Sequence, residues 1–123
     1  MAIEALVERA KLAPGEDVRV EQLASDANTS HHLVTLRDRE PLHRHDRHAI
    51  TVFLLRGHGR MHIAGAERPL GERSVLYVGR GVVHAFINET SDSPAVAYVI
   101  YSPPYNGGDR ILVEPTEPTV APE

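Results

Sequence analysis

Seven short segments of this chain, "DVRVEQL", "SHHLVTLR", "ITVFLLR", "GRMHIAG", "RSVLYVG", "VVHAFIN" and "AVAYVIY", are rich in Val, Ile, Leu, Thr or Tyr and are separated by turn-forming residues. Branched and aromatic side chains suit the pleated surface of a sheet, and Gly, Asn and Asp supply the turns between strands. Strands recurring at such regular spacing close into a sandwich or a barrel. The pattern predicts an all-β domain. Ahead of it, Ile3 to Leu12 reads as a short helix closed by "APGED", or else as an edge strand. With 123 residues the chain is long enough for one domain, assigned to residues 1–112. From 113 to 123, "VEPTEPTVAPE" carries almost nothing to bury and reads as a flexible tail.

Charge and composition narrow the function classes. A net charge of −4 offers no electrostatic footprint for nucleic acid or an anionic membrane. No stretch approaches the length of an apolar membrane span, and the N-terminus lacks the basic start and apolar run of a secretory signal. The expectation is a cytoplasmic protein with no nucleic-acid or membrane partner. The chain contains no cysteine, so any metal must be held by imidazole and oxygen.

Imidazole is where the sequence is unusual. "EPLHRHDRHAITVFLLRGHGRMHI" holds His43, His45, His48, His58 and His62 around the start of an apolar strand. Side chains two apart on a strand share a face, so His43 and His45 can converge on one ion while Arg44 points away. A third imidazole is needed for a site with an open position, and His84 in "GRGVVHAFIN", after a glycine turn, is the candidate. His48 lies two residues before Ile50 and shares its face if the strand already runs there. It could be a fourth ligand, or a proton-transfer group near its ordinary pKa of about 6.5.

The other polar residues carry weaker signals. His58 sits between glycines at a turn, and His62 reads as a strand-surface or pocket-lining residue. His31 and His32 are adjacent, so at most one of them faces a cavity. Glu40, Asp46, Glu67, Glu72 and Glu89 fall at turns or strand ends and read as solvated charge, with no acid–base pair among them. Tyr77, Tyr98, Tyr101 and Phe86 read as core, Phe86 sharing the face of His84.

"HRHDRHAITVFLLRGHG" and "VGRGVVHAFIN" resemble the two motifs of the cupin superfamily, small jelly-roll barrels also described as double-stranded β-helices. His43 and His45 match the histidine pair of the first motif and Gly57 its closing glycine. Gly81, His84 and Asn88 match the turn glycine, third histidine and asparagine of the second. The resemblance spans roughly residues 33–101, and "YSPPYNGGDRI" is similar to the closing segment of small single-domain cupins. It departs from the family where a metal-binding Glu is usual, because that position is Ile50. Gly79 stands where the second motif usually has Pro, and Arg37 and Arg73 where each motif usually opens with Gly.

The resemblance implies a small-molecule ligand in the barrel and a divalent transition metal (Fe, Mn, Ni or Zn) on His43, His45 and His84. It further implies a homodimer. Three neutral imidazoles leave the full charge on the ion, which favours an anionic co-ligand or substrate. The expected activity is a metal-dependent reaction, dioxygenase-like or isomerase-like, on a small anionic or enolisable molecule, with His48 as ligand or acid–base group. The alternative is a non-catalytic small-molecule or metal-binding module.

Overall fold

The computed structural model describes residues 2–114. Helix α1 (Ile3–Arg9) is followed by ten strands. These are β1 (Val18–Ser25), β2 (Ser30–Leu36), β3 (His43–Arg44), β4 (Ala49–Arg56) and β5 (Gly59–Ile63). The others are β6 (Ala66–Leu70), β7 (Val75–Val78), β8 (His84–Asn88), β9 (Ala95–Ser102) and β10 (Ile111–Leu112). They form two five-stranded antiparallel sheets, ordered β1-β2-β9-β4-β7 and β10-β3-β8-β5-β6. This is the double-stranded β-helix the motifs imply.

Strict alternation sets what faces inward. On β4 the residues Ile50, Val52 and Leu54 are buried, and on β9 Val99 continues that interior wall. Leu36 and Leu54 of one sheet pack with Met61 and Phe86 of the other, joining the two layers. Each such side chain contributes roughly 1.5–3 kcal/mol when fully buried. The first sheet is covered on its outer face too, because Leu6 and Ala10, four apart on and just after α1, pack on Leu33 and Val96. Burial on both faces is why β2 is buried along nearly its whole length instead of at alternate residues.

Three strands escape the sequence pattern, and each has a local reason. The strands β3 and β10 have only two residues each; β10 exists by pairing with β3, Leu112 against His43, and β3 by lying between β10 and β8. The strand β6 contains Pro69, which cannot donate to a ladder, but β6 lies at the edge of its sheet. At the other end of the domain, Val113 is buried and its N–H bonds the Leu42 carbonyl at 3.0 Å. The packed chain thus runs at least one residue past the expected boundary at 112, and the rest of the expected tail, 115–123, lies outside the described residues.

Candidate metal centre

His43 on β3 and His84 on β8 are direct cross-strand partners, which brings two imidazoles together from segments 41 residues apart. Just beyond β3, the His45 carbonyl accepts a 2.8 Å hydrogen bond from the Gly81 N–H. Gly81 has φ +74, a left-handed conformation that favours glycine, so the turn before β8 is shaped to hold the end of the first motif. The three side chains are almost fully buried, and one ring nitrogen of each lies within 4.8 Å of the other two.

Their hydrogen bonds decide which nitrogen is free. Nδ1 of His43 bonds the Pro41 carbonyl at 2.8 Å, Nδ1 of His84 the Val82 carbonyl at 2.9 Å, and Nδ1 of His45 the Asp109 carbonyl at 2.5 Å. A carbonyl only accepts, so each Nδ1 carries the hydrogen and each Nε2 is left as a lone-pair donor. Burial holds the His43 and His84 imidazoles down at about 4 and lowers that of His45 as well, so all three are neutral near pH 7. Neutral imidazoles oriented through the second ring nitrogen are what a metal ligand set requires.

His48 is built differently. Its Nδ1 meets the Asp109 carboxylate at 2.6 Å and its Nε2 lies 3.2 Å from the Pro104 carbonyl. Both ring nitrogens are thus taken up by protein oxygens, and His48 is not among the side chains gathered with the trio. His48, read from the sequence as a fourth ligand or an acid–base group, forms a clasp on the segment after β9. Asp109 is the hub of that clasp, accepting also from the N–H groups of Asp46 at 3.1 Å and Arg47 at 2.7 Å. Burial alone would raise its carboxyl, but these bonds outweigh it and hold the group below the usual carboxylate range.

Glu40, read from the sequence as solvated, belongs to the site instead. Between the bridge Arg39↔Ile87 and the pair His43↔His84, four steps of one chain oppose three of the other, and Glu40 sits in that irregularity. Its N–H donates to the Phe86 carbonyl at 3.1 Å, and its Oε1 accepts from the Phe86 N–H at 2.9 Å. The other oxygen, Oε2, lies 4.0 Å from His43 Nε2. Burial pushes this carboxyl above its ordinary range, against the pull of His84, the Phe86 N–H and Arg110. The available signal was its place three residues before the histidine pair; the strand-end position hid it.

His43, His45, His84 and Glu40 line a cavity of about 810 Å³ whose wall includes Val52, Leu54, Met61 and Phe86. Ile50 also lines it, buried against Val52, Val78 and Val99. Tyr101 and Tyr105 stack at 4.4 Å beside His45, and Arg110 lies on the same lining. Of the adjacent histidines, His32 lines the cavity, whereas His31 bonds the Tyr98 hydroxyl at 2.5 Å. His58 is exposed, and His62 on β5 is outside the trio. Asn88 is a strut, its amide donating to the Arg37 and Ser93 carbonyls.

The family model described as "Cupin domain" matches residues 26–101. The chain belongs to the cupin family. This cupin is also 32% identical, over 99 residues covering 80% of each chain, to an uncharacterized protein of Aquifex aeolicus. Among solved structures it is similar to an uncharacterized double-stranded β-helix protein of Klebsiella pneumoniae, with TM-score 0.73, 14% identity, and 93% and 96% of the two chains covered. It is similar also to a Streptomyces nucleoside dehydratase, with TM-score 0.62, 15% identity, and 77% and 85% covered. These distant likenesses speak to the fold.

Proposed function

We propose that this cupin is a metal-dependent enzyme. His43, His45 and His84 would hold a divalent transition metal, Fe, Mn, Ni or Zn, and the substrate would be a small anionic or enolisable organic molecule. The observation that carries the reading is the trio itself: three buried neutral imidazoles, each turned by a backbone carbonyl so that Nε2 points away from its anchor. Such an ion supplies Lewis acidity or, if it is iron, an oxygen-binding centre. The protein's own part is to bind and orient. Arg110 and Arg39 on the cavity lining attract an anionic group, the stacked Tyr101 and Tyr105 wall one side, and Met61 and Phe86 keep the interior apolar. His48 acts as a positioning residue through Asp109, whose carbonyl anchors His45.

The largely apolar cavity wall favours a second reading, a non-catalytic module that holds a small ligand. A homodimer is part of the proposal as well: β1 is an edge strand whose Val18 and Val20 remain 48% and 57% exposed, a liability that pairing removes. No helix among the described residues is long and apolar enough to cross a membrane, and a cytoplasmic location is the one proposed.

Elemental analysis of protein purified without an affinity tag tests the central claim. About one equivalent of a single transition metal is expected, and no metal either on purification or after reconstitution sinks it. Turnover that stops on chelation and returns with the metal separates the enzyme from the binding module. Light scattering reads the dimer.

A further inference from the structure

The outer face of the first sheet carries a second recess, away from the barrel interior, where the end of α1 packs on Leu33 and Val96. Its volume is about 750 Å³, and its lining draws together Lys11, Arg37 and Arg56. In a chain of net charge −4, three cations on one recess are a local concentration against the overall sign. A single carboxylate, Glu8, shares the lining. The arginine–carboxylate ion pairs among the described residues engage Arg9, Arg19, Arg44 and Arg60, and none of the three recess cations belongs to one.

Arg56 reaches this face through an irregularity in β4. Simple alternation after Ile50, Val52 and Leu54 would send it into the barrel. Instead Leu54 pairs with Ala97 and Arg56 with Val96, so two steps of β4 oppose one of β9. The extra residue, Leu55, packs outward against the cluster of Leu6, Leu33 and Val96, and Arg56 follows it onto the same face. A bulge re-aims side chains in this way. The result is a half-buried guanidinium whose Nε is fully buried and has no hydrogen-bond partner. A charge withdrawn from water without a counter-charge is destabilising until an anion meets it. Arg37, across β9 from Arg56, is tethered in place, its Nε and Nη2 donating to the Glu16 and Ala13 carbonyls at 3.1 and 3.5 Å.

We propose that this recess binds the phosphoryl group of a small organic phosphate, at a site separate from the histidine trio. Three cations against one carboxylate leave a surplus of two positive charges, which matches a phosphate monoester of about −2. Guanidinium forks suit phosphate oxygens, and Lys11 adds a mobile point charge from the helix side. Val7 and Leu12 on the same lining give the carbon part of such a ligand an apolar surface.

The test is a titration of the ¹⁵N-labelled, metal-free full chain at constant ionic strength, followed by amide chemical shifts, with phenyl phosphate and benzoate as probes. Phenyl phosphate is expected to give saturable shifts clustered around Lys11, Arg37 and Arg56, with benzoate at least 10-fold weaker. Arg56→Met keeps an apolar stem and removes the charge, and should weaken phenyl phosphate at least about 10-fold; Lys11→Met should weaken it several-fold. Shifts confined to the barrel lining around Tyr105 and Arg110, or parent-like affinity in Arg56→Met, overturn the site. Equal affinity for benzoate overturns the phosphoryl assignment, and no saturable shift with either probe overturns the whole proposal. Should Arg56→Met fail to fold, the exposed Lys11 decides, since parent-like affinity in Lys11→Met refutes the recess as the site.

Discussion

The histidine trio and the His48 clasp use the same residue type at nearly equal burial and do opposite things. His43, His45 and His84 are 2–3% exposed and His48 is 7% exposed, so burial does not separate them. What separates them is the number of acceptors around each ring. One carbonyl at Nδ1 leaves Nε2 without a protein partner, whereas His48 meets a protein oxygen at both nitrogens. The lesson is that ligand capacity in a histidine-rich strand is set by backbone carbonyls the side chain happens to meet.

The contrast can be broken most sharply by substitution. His84→Ala is expected to weaken metal affinity at least 100-fold, whereas His48→Gln keeps one equivalent with affinity within about 10-fold of the parent. Equal losses in both, read by elemental analysis and titration, would erase the distinction.

Acid should divide the trio from the clasp next. For His43 and His84 the folded pKa is depressed to about 4, below the ordinary value of 6.5. Between those values the unfolded chain binds protons that the folded chain refuses, so stability of the metal-free protein falls as pH drops from 6.5 towards 4. It is level, as far as these groups go, above 6.5. The loss is at most about 3 kcal/mol per histidine. Urea denaturation across that range checks it, and His84→Leu should flatten the slope.

Asp109→Asn loosens the clasp without touching the trio's side chains. Weakening a buried hub with several donors should cost about 2–3 kcal/mol. Because the Asp109 carbonyl anchors His45, metal affinity should also fall several-fold. Destabilisation with unaltered affinity would mean that the clasp and the trio are independent. The smallest effect is expected at Gly81→Ala, about 1–2 kcal/mol for an L side chain held at φ +74, read as a lower melting temperature.

How much of this was legible beforehand follows from sequence distance. His43 and His45 share a face by strand periodicity, and Gly81, His84 and Asn88 fall at motif spacing, so both trio and barrel were readable. The clasp was not, since His48 meets Asp109 across 61 residues and no local pattern encodes that pairing. Glu40 was misread because strand-end carboxylates are usually solvated, and only the bulge opposite Phe86 turns this one inward. The strand β10 escaped because two residues carry no periodicity; pairing with β3 creates it.

Asp109 has one more consequence, for the order of events at the ribosome. Every residue of the trio has been translated by position 84, but the carbonyl that sets the ring of His45 belongs to residue 109. A nascent chain can therefore close most of both sheets while one imidazole still lacks its anchor. The finished geometry of the trio waits on the segment that follows β9.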